Sequence, residues 1–351
     1  MTEYRCDILV VGAGPAGASA AQKAAEAGTK ILLIERKAVI GEPVRCAEFI
    51  PGQLLGELDC GKEFIVQPVK GMKSIIPGNV TAETPSPGFI INRNLFDQAL
   101  AAKAIDSGAE VWTESSAVGL DGNVVTVIKN SERINIRAKI IIGADGPHSR
   151  VGKWIGSPNK NLLPAIQVRA ALTVPIDYTE VRFDKRFYGG YAWLFPKGNA
   201  ANIGLGIKQV KGFKGLKSHL EFYLKELKAQ GKITGEISGY NAGWIPAETP
   251  RKITKGNIML AGDAGGQTHP ITGAGVAQAV MCGRMAGEWA AAAVKKDNIN
   301  LLSEYDNEWM DLYGKSQERA FERRQLMENN WNDLDKIIKK CWVAFREYYK
   351  D

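Results

Sequence analysis

Three glycines near the start of the chain have the spacing of a phosphate-binding loop. Gly12, Gly14 and Gly17 directly follow the apolar run 6–11, and an alanine-rich stretch comes next. Gly12 permits a tight turn, Gly14 lets the backbone approach a pyrophosphate, and Gly17 lets the helix pack closely against the strand. A helix that begins here offers free N–H groups and positive partial charge to phosphates. We therefore expect a dinucleotide-binding βαβ unit.

An acidic residue closes this unit. Residues 30–34 form a second apolar run, and Glu35 follows Gly17 by 18 positions. In a βαβ unit that position puts a carboxylate beside the ribose hydroxyls of a bound adenosine. An unphosphorylated ribose is therefore favoured, which indicates FAD or NAD rather than NADP. The unit alone does not choose between FAD and NAD.

Two further apolar runs, at residues 138–143 and 257–261, each lead into an aspartate between small residues. These two motifs are Ala144-Asp145-Gly146 and Gly262-Asp263-Ala264. An aspartate at the carboxyl end of a parallel strand suits a hydroxyl-rich ligand that lies close to the backbone. A helix predicted to begin near Gly273 would point its N-terminal dipole at that ligand. Such a dipole stabilises the anionic pyrimidine edge of a reduced flavin.

Together the three motifs resemble, in order, the FAD fingerprints of p-hydroxybenzoate-hydroxylase-like flavoproteins. The resemblance implies FAD as the cofactor, with Glu35 at the adenosine ribose, Arg93 near the pyrophosphate and Asp263 at the ribityl chain. On this basis the predicted cofactor-binding residues are Gly12, Gly14, Pro15, Ala16, Gly17, Glu35, Arg36, Arg45, Cys46, Ala47, Arg93, Asp145, Gly146, Gly262, Asp263, Ala264, Gly273, Gly275 and Val276.

Two other segments are similar to the geranylgeranyl reductase family. They are the stretch Pro43-Val-Arg45-Cys46-Ala47 and the stretch Tyr191-Ala-Trp193-Leu-Phe195-Pro196, which Gly204-Leu-Gly206 trails. The resemblance covers about residues 5–295. Members of this family reduce isolated carbon–carbon double bonds in polyprenyl chains. The resemblance therefore implies transfer of a hydride from reduced flavin to one alkene carbon and of a proton to the other.

The second of these segments puts aromatic rings at alternate positions. Tyr191, Trp193 and Phe195 share one face of a predicted strand, because side chains alternate along a strand. A row of rings beside the flavin would line an apolar slot for an isoprene chain, and Trp244 is predicted as a fourth substrate contact. The alternative for the rings is ordinary packing of the sheet against the FAD-binding domain.

Two residues are candidate proton donors. The family resemblance implies that Cys46 is an active-site thiol, which acts in proton delivery or in gating flavin reduction; the alternative is a small buried hydrophobe. His269 precedes the predicted flavin-facing helix, where a neutral imidazole could donate a proton, or it makes a structural polar contact. Tyr191 and Trp193 are predicted as catalytic with them. No metal site is expected, because the 5 cysteines form no CxxC and no Cys/His cluster.

The elements that must position these residues form an α/β (α+β) fold. We expect a discontinuous Rossmann-like FAD-binding domain over residues 1–65, 92–160 and 245–295, interleaved with an antiparallel-sheet substrate domain over 66–91 and 161–244. Residues 296–351 have a helical pattern with many aromatic and basic side chains. This segment is either a cap packed on the FAD-binding domain or a surface helix that admits a lipid from a bilayer.

The charge balance is mildly basic. In 351 residues, Lys and Arg total 45 and Asp and Glu total 38, which gives a net charge of +7. That excess suits an anionic ligand or membrane surface, and without a basic run it does not indicate nucleic acid. A polar start and the lack of an uninterrupted apolar helix predict a cytoplasmic protein, with membrane association left open.

Other functions remain open at this point. With no second glycine fingerprint, electrons are expected from an external donor, which is NAD(P)H, ferredoxin or a deazaflavin. The same fold serves oxygen-dependent aromatic monooxygenases, cluster-free electron-transfer flavoproteins that act on quinones, and flavin-binding proteins without turnover. A halogenase is disfavoured, because no Trp-x-Trp-x-Ile-Pro segment is present.

Overall fold

The computed structural model describes residues 3–78, 80–209 and 215–350. The strands are β1 (Glu3–Val11), β2 (Ile31–Ile34), β3 (Phe49–Pro51), β4 (Ile65–Ile76), β5 (Val80–Ile91), β6 (Glu110–Trp112), β7 (Ser115–Asp121), β8 (Val124–Lys129), β9 (Glu132–Gly143), β10 (Leu162–Leu172), β11 (Tyr178–Arg182), β12 (Tyr191–Lys197), β13 (Ala200–Gly206), β14 (Ile233–Pro246), β15 (Thr254–Lys255) and β16 (Ile258–Leu260). The α-helices are α1 (Pro15–Glu26), α2 (Arg93–Asp106), α3 (Arg150–Trp154), α4 (Leu216–Ala229), α5 (Val276–Lys295), α6 (Leu302–Trp309), α7 (Lys315–Asn329) and α8 (Leu334–Cys341).

The first sheet has the order β15-β16-β9-β1-β2-β6, and its strands from β16 to β6 run parallel. The hairpin of β7 and β8 extends from β9. Ile8, Leu9 and Val10 in the middle strand are fully buried. Strands covered on both faces need such continuous apolar runs, so the pattern that predicted the strand also fixes its central place.

Helices α1 and α5 lie on this sheet and touch each other closely. A side chain at Gly283 of α5 would stand 2.2 Å from the carbonyl oxygen of Ala16, and one at Gly287 would stand 2.3 Å from that of Ala20. Glycines on one helix therefore let its backbone meet the alanine face of the other. This contact brings the chain that follows β16 next to the loop that follows β1.

The second sheet has the order β14-β10-β13-β12-β11-β4-β5-β3. Its pairs are antiparallel, as predicted, except that β11 and β4 run parallel. The chain enters this sheet in separate passes and returns to the first sheet between them, so β4 and β11 are joined by a long crossover rather than a hairpin. The predicted α/β fold class with two interleaved sheets is confirmed.

The sheets do not follow the predicted ranges at every point. The strand β3 pairs with β5 in the second sheet, although its residues fall in the range 1–65 that was assigned to the FAD-binding domain. The pairing of β14 with β10 runs on to Pro246, past the predicted limit of 244. The division into domains itself remains a prediction.

The C-terminal helices cross from one sheet to the other. Leu302, Tyr305 and Trp309 of α6 are buried in the core of the first sheet, which fits the predicted cap. Farther on, Leu334 and Ile338 of α8 are buried in a cluster that includes residues of the second sheet. The expectation that the whole segment packs on the FAD-binding domain is therefore wrong for α8, because its apolar stripe covers the second sheet instead.

No helix within the described ranges has the length and apolar character needed to cross a membrane.

Candidate active site

The first two glycine motifs meet at the carboxyl ends of neighbouring strands. Gly12 has a φ of +102°, and a Cβ there would lie 2.4 Å from the carbonyl oxygen of Ala144. At Gly17 a Cβ would lie 1.8 Å from the carbonyl oxygen of Gly12. These contacts exclude any larger residue, because backbone atoms cannot move aside as a flexible side chain can. The loop after β1 and the loop after β9 therefore form one surface.

The third motif joins the same surface. Gly262 has a φ of +64°, and a Cβ there would lie 2.8 Å from Cβ of Ala16. Ala264 is fully buried, and so is Pro15 at the start of α1. The loops that carry Gly12, Asp145 and Asp263 thus converge, as the fingerprint order requires.

Two helix N-termini at this surface are open to a ligand. Helix α1 follows Gly14 and α5 follows Gly275, and neither N-cap position supplies a side-chain hydrogen bond. Nothing lies within 4 Å of a Cβ placed at Gly14. Uncapped N–H groups beside an open glycine fit an anionic dinucleotide such as FAD. Val276 is the first residue of α5, and Gly273 stands in the loop before it.

Glu35 and the arginines lie at one edge of this surface. Glu35 Oε2 accepts a hydrogen bond from the N–H of Ala13 at 3.0 Å, and its Oε1 accepts one from Lys37 at 3.1 Å. The carboxylate is therefore fixed against the first glycine loop. Arg36, next in sequence, is exposed. Arg93 forms a bidentate ion pair with Asp97 at 2.9 and 3.0 Å, and it is mostly buried.

The two motif aspartates have different surroundings. Asp145 accepts hydrogen bonds from the hydroxyl of Ser149 at 2.5 Å and from the N–H of Arg150 at 2.6 Å, so it caps the start of α3. Gly146 follows with a φ of +83°. Asp263 accepts a hydrogen bond from the hydroxyl of Thr268 at 2.6 Å, and burial raises the pKa of its carboxyl group. Asp145 is thus engaged in local structure, whereas Asp263 retains an oxygen for a ligand.

The stretch of residues 45–48, which we call the crossing segment, runs across one face of the second sheet. Arg45 lies against Gly243 of β14, where a Cβ would stand 3.6 Å from Cβ of Arg45. The carbonyl of Cys46 accepts a hydrogen bond from the side chain of Gln167 at 3.0 Å. The carbonyl of Ala47 accepts one from Asn202 at 3.2 Å. Arg45, Cys46 and Ala47 thus lie against three different strands, which are β14, β10 and β13.

The predicted aromatic rings share the face that the crossing segment covers. The ring centroids of Tyr191 and Trp193 are 6.3 Å apart, and Phe195 contacts Phe49 at 6.3 Å. The indole N–H of Trp193 donates to Gln167 Oε1 at 2.9 Å, so one buried amide joins this ring to the carbonyl of Cys46. The three rings therefore form a row on one face of β12, beside the crossing segment.

Tyr191 connects this row to the loop before α5. Its hydroxyl donates to the carbonyl oxygen of Thr272, next to Gly273. Burial raises the pKa of the Tyr191 hydroxyl, which keeps it neutral and able to donate. The row of rings thus begins at the loop that the sequence predicts to face the flavin.

Trp244 is not part of the row. The strand register pairs Trp244 with Pro164 and Gly243 with Ala165, and Ala165 aligns with Tyr191 through β13. Paired residues lie on the same face of a sheet and successive residues alternate, so the Trp244 side chain lies on the face opposite the rings. It is 40% exposed and contacts His148 with ring centroids 5.3 Å apart. Trp244 as a substrate contact stays a prediction, for a side chain on the other face of the sheet from the three rings.

His269 lies under residues 342–350, which follow α8 and which we call the C-terminal tail. Its Nδ1 accepts a hydrogen bond from the N–H of Thr272 at 3.3 Å, and its Nε2 is 3.5 Å from the hydroxyl of Tyr348. Burial lowers the pKa of the imidazole to about 4. The ring is therefore neutral at pH 7 and cannot act as a cationic acid there.

The C-terminal tail closes the tyrosine end of the row. Trp342 contacts Tyr191 at a centroid distance of 5.4 Å and donates from its indole nitrogen to Ser74 at 2.8 Å. The cavity between Tyr191, Trp193, Ile271 and Gly273 has a volume of about 20 Å³. A volume of this size holds about one water molecule.

Several polar residues of this face were not predicted from the sequence. They are Glu48, Gln167, Asn202, Arg169 and Lys197, which meet around the crossing segment. One signal was available, since the period of two that aligns the rings continues from Phe195 to Lys197.

Comparisons with known proteins agree with this geometry. Residues 165–242 match the family described as geranylgeranyl reductase catalytic domain, and residues 7–42 match the family of FAD dependent oxidoreductases. Digeranylgeranylglycerophospholipid reductase 2 of Methanopyrus kandleri is 35% identical over 93% of this chain and 88% of its own length. Digeranylgeranylglycerophospholipid reductase 3 of Methanosphaera stadtmanae is 33% identical over 95% of this chain and 89% of its own length.

Solved structures give the same fold. A geranylgeranyl bacteriochlorophyll reductase-like protein from Thermoplasma acidophilum superposes with a TM-score of 0.87 at 28% identity, over 98% of this chain and 93% of that one. A flavin-dependent brominase superposes with a TM-score of 0.77 at 18% identity, over 97% and 96% of the two chains, and this likeness concerns the fold alone.

Proposed function

Because this chain belongs to the geranylgeranyl reductase family of FAD-dependent oxidoreductases, we propose that it reduces carbon–carbon double bonds in the prenyl chains of a glycerophospholipid. One observation carries the proposal beyond family membership. A row of aromatic rings on β12 joins the loop before α5 through the hydroxyl of Tyr191. An apolar chain laid along those rings would present its double bond beside that loop.

The residues divide the work of the reaction between them. When bound, reduced FAD supplies a hydride to one alkene carbon, and the other carbon then needs a proton. Glu35 and Arg93 would hold the adenosine ribose and the pyrophosphate, and the N-terminus of α5 would stabilise the reduced flavin. Tyr191, Trp193 and Phe195 exclude water from the reacting bond and align the chain.

Cys46 gives the proton to the second alkene carbon in this proposal. Its thiol is partly exposed at the sheet face that carries the rings, and the charges of Arg93 and Lys197 act on it. His269 is the weaker candidate, since its lowered pKa of about 4 leaves few protonated imidazoles at pH 7.

The proposal is tested by reoxidation of reduced flavin without oxygen. The purified flavoprotein is reduced with dithionite under argon, a geranylgeranyl glycerophospholipid is added, and flavin absorbance is followed. We expect reoxidation at a rate that rises with lipid concentration, and loss of double bonds in the recovered lipid by mass spectrometry. The matched control is the same lipid with saturated chains, which should leave the flavin reduced. No reoxidation with any polyprenyl lipid would overturn the proposal.

The reductant is a finer part of the proposal. We propose that NAD(P)H, reduced ferredoxin or a reduced deazaflavin visits the flavin from outside and donates electrons. Each donor is mixed anaerobically with the oxidised flavoprotein, and bleaching of flavin absorbance is recorded. Rapid reduction by one of these donors supports this part of the proposal, and failure of all of them contradicts it.

Peripheral contact with a membrane is a further part. We propose that the outer face of α8 touches anionic lipid, because Lys336, Lys339 and Lys340 are exposed on it. Vesicles of phosphatidylcholine with and without phosphatidylglycerol are pelleted with the protein. We expect co-sedimentation only with the anionic vesicles, and its loss when Lys339→Glu and Lys340→Glu are combined.

The control for membrane contact is a matched pair of charge changes elsewhere. Lys295 and Lys296 are exposed at the end of α5, so Lys295→Glu with Lys296→Glu makes the same change in net charge. Equal loss of co-sedimentation in both double variants would contradict a contact through α8.

A further inference from the structure

A buried carboxylate holds the crossing segment to the second sheet. The side chain of Glu48 is 2% exposed. Its Oε2 accepts hydrogen bonds from Lys197 at 2.5 Å, from Asn202 at 2.8 Å and from Arg169 at 3.2 Å. Its Oε1 accepts one from the backbone N–H of Arg93 at 3.0 Å. The carboxylate therefore links β12, β13 and β10 to the first residue of α2.

The backbone of the same residue reaches the candidate thiol. The N–H of Glu48 donates to Sγ of Cys46 at 3.2 Å, and its carbonyl accepts from the N–H of Ile91 at 2.9 Å. Glu48 also has a φ of +71°. A glutamate in this region of backbone conformation is strained and stays there only when its surroundings hold it.

The bonds of Glu48 are weak evidence for a stabilising role. Replacing a buried ion pair by well-packed apolar groups is often neutral or stabilising. The carboxylate does fix the position of Glu48, because it accepts hydrogen bonds from β10, β12, β13 and α2 at once. A residue held so tightly fixes the position of the N–H that it points at the sulfur.

We propose that Glu48 is the positioning residue for Cys46: its carboxylate anchors the crossing segment to the second sheet and to α2, and so holds the thiol beside the ring row. The inference rests on the proposed function in treating Cys46 as the proton donor. Glu48 itself contacts no reacting atom in this scheme and acts through the position of the sulfur.

The first experiment measures access to the thiol and needs no turnover. The purified flavoprotein and its Glu48→Gln variant are treated with iodoacetamide, and alkylation of Cys46 is compared with that of Cys60 by peptide mass spectrometry. Cys60 is also partly buried, so it serves as an internal reference. Loss of the carboxylate's charged hydrogen bonds should loosen the segment and raise the ratio about tenfold.

The matched control is another buried glutamate of the same sheet. Glu180 is 8% exposed, lies on β11 and pairs with Lys232 at 2.5 Å. Glu180→Gln therefore makes the same chemical change away from the crossing segment. We expect it to leave the alkylation ratio within about twofold of the wild type. Equal ratios in Glu48→Gln and Glu180→Gln would overturn the proposal.

A second variant guards against a Glu48→Gln protein that does not fold. Asn202→Ala removes one donor to the carboxylate and the donor to the carbonyl of Ala47, while it keeps the charge of Glu48. We expect the same direction of change with a smaller amplitude, about threefold. An unchanged ratio in this variant contradicts the proposal in the same way.

Turnover separates this inference from the proposed function. If Glu48 positions the proton donor, Glu48→Gln should lower kcat for the prenyl lipid by about tenfold and leave KM unchanged. A rise in KM alone contradicts positioning. If the wild type turns over no prenyl lipid, the proposed function fails, and the alkylation ratio still decides whether Glu48 positions the thiol.

Discussion

The two candidate proton donors sit in opposite kinds of environment. Cys46 lies in the crossing segment among ionised groups, with Arg93 and Lys197 close enough to act on its thiol. His269 lies under the C-terminal tail, where burial alone lowers its pKa to about 4. The first region is held together by ionised side chains, whereas the imidazole in the second contacts the neutral groups of Thr272 and Tyr348. The comparison teaches that proximity to the predicted flavin face does not make a proton donor, because burial keeps the imidazole of His269 neutral at pH 7.

The largest effect on the free energy of unfolding is expected in the region of Cys46, at Arg93. Arg93→Met leaves Asp97, which is buried, without its bidentate partner. We expect a loss of about 3–5 kcal/mol in the free energy of unfolding, measured by urea titration. The control is Lys336→Met, which breaks an ion pair exposed at both ends, 72% and 57%, and should cost less than about 1 kcal/mol. A loss for Arg93→Met as small as the control's would remove the distinction between the two regions.

The next prediction concerns the region of His269, where the free energy of unfolding should depend on pH. Above pH 6.5 His269 is neutral in both folded and unfolded chains, so it contributes no pH dependence. Between pH 6.5 and about 4 the unfolded chain binds a proton that the folded chain does not. The free energy of unfolding therefore decreases as the pH is lowered from 6.5 to about 4. The decrease is roughly 3 kcal/mol, because the two pKa values differ by about 2.5.

The measurement is urea unfolding of wild type and His269→Gln at several pH values from 7 to 4. The variant should lack this part of the decline, so the difference between the two curves isolates the one residue. His148→Gln, at an exposed position, is the control and should keep the wild-type slope. Parallel curves for wild type and His269→Gln would show that His269 is not held neutral by its site.

The third prediction compares the effects of variants at Cys46 and at His269 on kcat, and the expected free-energy difference is smaller than in the two unfolding experiments. Cys46→Ser should lower kcat about a hundredfold, equal to about 2.7 kcal/mol, because a hydroxyl gives up its proton far less readily than a thiol. His269→Gln should lower kcat by less than about tenfold, since the neutral ring is a poor acid. Cys60→Ser controls for the loss of a thiol. A larger loss of kcat in His269→Gln than in Cys46→Ser would identify His269 as the proton donor instead.

The smallest effect tests what keeps His269 apolar. Tyr348→Phe removes a hydroxyl that is 3.5 Å from Nε2 of the imidazole, at the limit of hydrogen bonding. We expect a cost below about 1 kcal/mol in unfolding free energy and an unchanged pH slope, because the ring that covers His269 remains. A clear change in the pH dependence of the unfolding free energy would show that the hydroxyl of Tyr348, and not burial by its ring, sets the pKa of His269.

The parts of the molecule that could be predicted from sequence are the ones built from neighbours in the chain. The first βαβ unit follows from the spacing of Gly12 and Glu35, and the row of rings follows from alternation over residues 191–195. The fold class follows from these units taken in order. Within each of these units the residues that determine the structure lie within a few tens of positions of one another.

The surroundings of Cys46 could not be predicted in this way. The partners of Glu48 lie 121, 149 and 154 positions away, at Arg169, Lys197 and Asn202. No local pattern brings such residues together, since their meeting depends on the register of three strands and the path of the crossing segment. The face on which Trp244 lies could not be predicted for a related reason, because it is set by strand pairing and not by the place of the residue in a motif.

The tail that packs against Tyr191 has a consequence for the kinetics of turnover. With a cavity of about 20 Å³ at that ring, a prenyl chain that lies along the rings as proposed would reach it only after Trp342 and its neighbours have shifted. Opening and closing are then steps of every cycle, in series with hydride and proton transfer. A rate that depends on solvent viscosity more than on deuteration of the flavin would identify the tail as the slow part of the enzyme.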